Sequence, residues 1–386
     1  MLGVKAGSVG RILVTLAVVA TACGPSSTAQ VVTVAPPAVA LPAEVSAAPV
    51  PTARTPQPTA APTPEPPALP CRDCWPLSGA PLAGADPGRR PLVVKLDNGP
   101  AGRPQYGINS ADIVVETLVE GFLTRLAAIY HSREPERFAS VRSGRLTDRS
   151  LTAMVRGALV YSGSSAFADA LFIQDARQGR YVNLSADHLA SFFRFPGRPG
   201  PYDMYTTPAA MRQEIAKVDP RPVDVPRWGF IAREHSPAAG GMDRATPASQ
   251  LVIPYREDHS QVTYGYDPTS RTYARSQNVN GRPVRSTDLL EGRPVAAANI
   301  VILGSEVREV PEIVDPGGNV SYDTRLTGVG PATVFRDGLR RDGTWSRPND
   351  QAPFVFLTPT GEPILLAPGQ TWLHPIPSGW TITSAP

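Results

Sequence analysis

Residues 91–145 gather the side chains best suited to chemistry: Arg103, Arg125, Arg142 and Arg145 stand among Asp97, Asn98, Gln105, Glu116 and Glu120. A guanidinium presents a planar fork of donors that matches carboxylate or phosphate. Arg142 and Arg145 sit three apart in the Ser/Gly-rich VRSGR, a spacing suited to holding one anion. Arg125 lies between apolar neighbours in FLTRLAAIYHS. A charge there needs a carboxylate or an anionic ligand, because an unpaired buried charge is very costly. Glu116 or Glu120 is its expected partner.

The two glutamates carry a second possibility. Four residues apart, they fall on one side of a helix or of a strand, so the pair is expected to face one way in either conformation. Two carboxylates about 5–9 Å apart can act as the acid and base of a glycan hydrolase. The same glutamates serve equally well in ion pairs with Arg125. Nothing elsewhere in the chain assists catalysis. Gly163-Ser164-Ser165 follows a strand-like run and is able to hold a nucleophile or an anion, but G-x-S-x-G is absent. His131, His188, His235, His259 and His374 show no metal-ligand spacing. Asp337-Gly338 and Asp342-Gly343 read as turns, since neither carries the oxygen ligands of a calcium loop. No metal or cofactor is expected. The nine residues named first therefore read as a ligand-binding surface, with a cell-envelope hydrolase built on Glu116 and Glu120 as the alternative.

The elements that must position these groups are short. Among 386 residues, 44 prolines and 33 glycines imply many turns and few long helices. PLVVKL over 91–96 is a run of strand length, stopped by DNGPAGRPQYG. INSADIVVETLVEG is open between a helix begun at Ser110-Ala111-Asp112 and a strand favoured by Ile113-Val114-Val115. FLTRLAAIYHS reads as a strand, then an amphipathic helix precedes a further strand, ALVYS, and Thr207-Pro208 starts a later helix. From residue 250 the pattern changes to short β-type runs separated by turns such as Asp267-Pro268 and Pro316-Gly317-Gly318. The fold class is α+β, with a mixed α/β domain over 71–245, a β-rich antiparallel domain over 250–377 and a tail over 378–386.

The N-terminus speaks of compartment. Lys5 and Arg11 precede the apolar run of RILVTLAVVATA, which is too short for a lasting membrane span, so residues 1–22 read as a signal peptide. Ala20-Thr21-Ala22-Cys23 is similar to a bacterial lipobox, which makes Cys23 the expected lipidation site and the membrane the expected partner. An ordinary secretory signal is the other reading. Residues 23–70, rich in Pro, Ala and Thr, cannot bury enough apolar surface to order themselves and are expected to form a disordered tether. Cys71 and Cys74 form a lone C-x-x-C; a half zinc site lacks its other ligands and a redox pair its strand and helix, so the pair reads as a structural disulfide, with two free or modified thiols as the alternative. A net charge of +3 without a basic stripe argues against nucleic acid as a partner. An envelope glycan or a protein remains, outside the cytoplasm.

Several segments together resemble a known family, the YerB-like bacterial lipoproteins, built from a two-part domain of unknown function. The likeness rests on PLSG, LVVKLDNGPAGRPQYG, SADIVVETLVEGFLTR and VRSGR, and on YDPTSRTYARS, FRDGLRRDGTWSR and APGQTWLHPIP, and it covers about residues 75–377. It implies an exported, membrane-anchored protein with an α/β first part and a β-rich second part, and it lends no established reaction. Tyr161 and Tyr202 occupy places where the family usually carries His. A tyrosine with an ordinary pKa of about 10 is a poor base near neutral pH, so His-dependent chemistry in relatives would be lost here.

Overall fold

The computed structural model describes residues 73–386 apart from Arg233. The expected signal peptide, Cys23, the tether and Cys71 lie outside the described residues, and so does any bond between Cys71 and the buried Cys74.

The first half supplies β1 (Leu92–Asp97), β2 (Ile113–Val119), β3 (Leu123–Tyr130), α1 (Thr147–Met154), β4 (Ala158–Tyr161), α2 (Ala166–Arg177), β5 (Val182–Ser185) and α3 (Pro208–Val218). The second supplies β6 (Gln250–Ile253), β7 (Val262–Asp267), β8 (Thr272–Val279) and β9 (Arg282–Arg285). It continues with β10 (Asn299–Ser305), β11 (Gly328–Arg336), β12 (Leu339–Arg347), β13 (Val355–Leu357), β14 (Thr371–Pro377) and β15 (Thr383–Ala385).

One large mixed sheet runs in the order β13-β12-β11-β10-β14-β2-β3-β1-β4-β5. Its strands come from both halves of the chain. At the join, β14 lies parallel to β10 on one side and to β2 on the other, with Val114 opposite Trp372. The change of sequence pattern near residue 250 thus does not interrupt the sheet. A smaller antiparallel sheet, β9-β8-β7-β6-β15, packs on one face. Its edge strand β15 comes from the segment after 377 that sequence reading assigned to a tail.

All six residues of β1 are buried, as expected of a strand covered on both faces. Val93 joins a core with Leu151 and Met154 of α1, Phe172 of α2 and Trp228, while Leu92, Val94 and Leu96 join one with Met211 of α3 and Leu251, Val262 and Tyr264 of the small sheet. The helices begin where their caps dictate. The Ser165 hydroxyl accepts from the Ala168 amide at 3.1 Å, and Thr207 caps α3 ahead of Pro208.

The open segment forms a strand over Ile113–Val119. Its β-branched residues suit a pleated position between β14 and β3. Asp112 caps no helix; its carboxylate accepts the amides of His131 at 2.6 Å and Ser132 at 2.8 Å instead.

Candidate functional site

The residues singled out by sequence fall into two clusters, on opposite faces of the large sheet. Asp97 ends β1 with its carboxylate toward Arg142, and Asn98, the next residue, turns the other way to Glu116.

Asn98, Gln105 and Glu116 turn toward the small sheet and are buried. Glu116 accepts from Asn98 Nδ2 at 2.9 Å and the Thr124 hydroxyl at 2.8 Å on one oxygen, and pairs with Arg275 at 2.9 Å on the other. Gln105 donates to the Asn98 side chain at 3.1 Å and to the Asp97 carbonyl at 2.9 Å. Arg275, from β8, also reaches Gln277 and Ser286 and lies 4.8 Å over the Trp372 ring. Tyr255 and Tyr264 contact the two ring nitrogens of His374 at 3.2 and 2.9 Å. Burial, with Arg275 close by, holds His374 well below its ordinary pKa, so it is neutral. Arg103 bridges to the small sheet through the carbonyls of Asn278 and His259. These groups satisfy one another inside the protein. They join the two sheets and offer a ligand no access to Glu116.

The other cluster lies beyond the ends of β1, β3 and β4. A strap over 142–144 crosses there, its Arg142 amide donating to the Lys95 carbonyl, its Arg142 carbonyl accepting from Ser162 and its Gly144 amide donating to Gly163. β1 and β4 are parallel. The strap therefore occupies the place outside the carboxyl ends of parallel strands where α/β sheets commonly hold ligands. Arg142 pairs with Asp97 at 2.7 Å and stands 5.3 Å from the Tyr202 ring centre. Arg145 pairs with Glu120 at 2.5 Å. Burial alone would raise Glu120, but the charge and hydrogen bond of Arg145 prevail and lower its pKa. Beneath them Lys95 and Asp148 form a fully buried pair at 2.7 Å.

Arg125 differs from its neighbours. Its hydrogen bond goes to the Ser143 carbonyl at 3.3 Å, and no carboxylate among the described residues forms an ion pair with it. Burial lowers its pKa to about 9, with Arg145 and Arg142 adding to the drop and Asp97 and Glu120 opposing it, which leaves it cationic at neutral pH. The cluster holds three guanidinium groups against two carboxylates, and Arg125 is the one left over.

Two expectations are corrected here. Neither Glu116 nor Glu120 is the partner of Arg125, and the glutamates do not face one way. β2 ends at Val119, and Glu120 begins a tight turn through Gly121 at φ 68°, so strand alternation no longer governs where Glu120 points. Gly163-Ser164-Ser165 serves α2: Ser165 caps it, and Ser164 and Tyr161 donate to Asp169 at 3.3 and 2.9 Å. His374, one of the histidines without metal-ligand spacing, is a satisfied core residue, whereas Arg275 is a residue that sequence reasoning did not single out. Arg275 shares strand parity with the buried Tyr273, the same signal that drew attention to Arg125.

A mixed-sheet α+β protein with an arginine cluster at the ends of its parallel strands is the class these features define. Residues 77–221 match the N-terminal domain, and residues 251–373 the C-terminal domain, of a family described as a protein of unknown function, DUF3048. The chain belongs to that family. It is 28% identical over 307 residues to the Bacillus subtilis protein named "Putative lipoprotein YerB", an alignment covering 78% of this chain and 86% of the relative. The crystal structure of the YerB protein from Bacillus subtilis superposes with a TM-score of 0.66 at 26% identity, covering 81% of this chain and 99% of the other.

Proposed function

We propose that this protein is a membrane-anchored lipoprotein of the cell envelope, and that it captures an anionic group, carboxylate or phosphate, of an envelope glycan or a partner protein. The anchor reading rests on the basic, apolar and Cys23 segments of the N-terminus and on the name of the Bacillus subtilis relative. Arg125 carries the binding reading. A half-buried guanidinium flanked by two others, with no carboxylate of its own, is costly to keep unless an anion completes it. Arg142 and Arg145 are already held by Asp97 and Glu120, so their forks are fixed in place for a ligand arriving at Arg125.

Arg125→Gln keeps the length and hydrogen-bonding capacity of the side chain and removes its charge. With poly(glycerol phosphate) and a polyanionic carboxylate glycan as probes, the variant should bind at least about tenfold more weakly than the parent, the loss of roughly 1.5–3 kcal/mol expected for a charge-assisted hydrogen bond. An unchanged dissociation constant for both probes would remove Arg125 from the site.

A further inference from the structure

A second arginine-lined cleft, of about 480 Å³, opens beside Trp75. It lies away from Arg125 and shares no lining residue with that cluster. Arg89, Arg90, Arg212 and Arg221 line it against one acid, Asp86, whose carboxylate is engaged by the Gly88 amide at 2.8 Å.

The carboxylates that balance these arginines do not line the cleft. Glu134 is shared by Arg212 at 2.5 Å and Arg89 at 3.5 Å, and Asp219 by Arg90 at 2.7 Å and Arg221 at 2.6 Å. Each acid thus serves two guanidinium groups and leaves the cleft an excess of positive charge. Burial lowers the pKa of Arg212, Glu134 opposes this, and Arg89 and Arg90 add to the drop. Donors are left over as well. Nε of Arg89 and Nε of Arg90 are out of solvent and have no hydrogen-bond partner among the described residues. A buried donor left unsatisfied is costly.

The remaining wall is apolar. Trp75, Ile215, Pro220 and Pro222 give a ligand a flat surface next to the cations, and Arg89 already lies 5.6 Å over the Trp75 ring. The cleft has room for more than an ion.

We infer that this cleft is a binding site for a phosphate-type dianion, held by Arg89 and Arg221 over the base formed by Arg90 and Arg212, with an apolar part of the same molecule lying against Trp75. A phosphate presents three acceptor oxygens to the forks of Arg89 and Arg221, where a carboxylate presents two, and it answers the positive charge that Glu134 and Asp219 leave over. Inorganic phosphate and the headgroup of an anionic phospholipid share this chemistry.

The indole N–H signal of Trp75, assigned in the full-length protein with Trp75→Phe, reads the cleft alone. Inorganic phosphate and dihexanoyl phosphatidic acid are titrated separately. A saturable shift with inorganic phosphate assigns the site to the phosphate group itself; a shift with the lipid only assigns it to a lipid headgroup. In either case Arg89→Gln combined with Arg221→Gln should raise the apparent dissociation constant at least about tenfold, while Arg125→Gln leaves it unchanged. Both replaced side chains reach solvent, at 33% and 82% exposure, so the other indole signals should stay in place and report an intact fold. If those signals move, Arg221→Gln alone, at the more exposed position, takes the place of the double variant. The inference fails if neither probe shifts Trp75, or if the shift survives the removal of these arginines.

Discussion

Arg275 and Glu116 form the most enclosed ion pair between the two sheets, with side chains 2% and 0% exposed. Such a pair gives little net stability by its own attraction, because both ions had to leave water, yet removing one partner strands the other. Glu116→Ala should therefore cost about 3–5 kcal/mol, read as a fall in the urea midpoint. Glu116→Leu with Arg275→Met should recover most of that loss, because a well-packed apolar pair replaces the charges. A double variant as unstable as Glu116→Ala would mean that the surrounding hydrogen bonds to Asn98, Thr124 and Gln277, rather than the charge, hold the site. The same logic of inward-facing charge found Arg125 from sequence alone. It could not assign its partner, because which carboxylate comes near depends on strand register and not on distance along the chain.

Elements were more legible than their arrangement. The runs at 91–96 and 123–130, the helix beginning at Thr207-Pro208 and the β-rich second half follow from periodicity and turn residues. The segment at 113–119 stayed ambiguous because a seven-residue stretch of mainly apolar residues fits either conformation until neighbouring strands are known. The site was half legible. Parity within β1 places Asp97 with Lys95 on the face opposite Leu96, whereas the strap over 142–144 and the place of β14 are tertiary facts with no local signal. The loop between β1 and β2 gives an element-scale test. A methyl group added at Gly102 would lie 2.5 Å from the Cβ of Asp97, so the loop packs directly on the carboxylate that holds Arg142. Gly102→Ala should destabilise the fold by about 1–3 kcal/mol through overpacking. It should also weaken anion binding at Arg125, because Asp97 can no longer hold Arg142 in place. Full stability by urea titration would show that the loop yields without disturbing Asp97.

At the scale of the whole molecule, the two halves share one sheet, and the histidines buried along it make its integrity depend on pH. His131 follows β3, where its Nε2 lies 3.0 Å from the Pro87 carbonyl and its ring meets Trp75 edge-on at 4.8 Å. Burial lowers its pKa to about 4, against the pull of Asp112 and with Arg89 and Arg212 assisting. His374 stands in β14, stacked on Trp372, and is lowered for the same first reason. An unfolded histidine titrates near 6.5. Between that value and about 4 the unfolded chain therefore binds protons that the folded chain refuses, and stability must fall as pH falls. His131 contributes a slope approaching about 1.4 kcal/mol per pH unit across this window, and His374 acts in the same direction. The carboxylates Glu120, Asp175 and Asp337, whose folded pKa values are lowered, act lower on the scale: their contribution is complete above about pH 5 and is lost as pH falls below it. Urea midpoints measured from pH 7.5 to 4 should thus begin to decline near pH 6.5, before the carboxylates titrate. His131→Gln keeps a donor for Pro87 and removes one titration, so its decline should be shallower by one proton. A parent curve flat from pH 6.5 to 4 would mean that both rings open to solvent as they protonate, and that the seam between the halves is looser than its packing indicates.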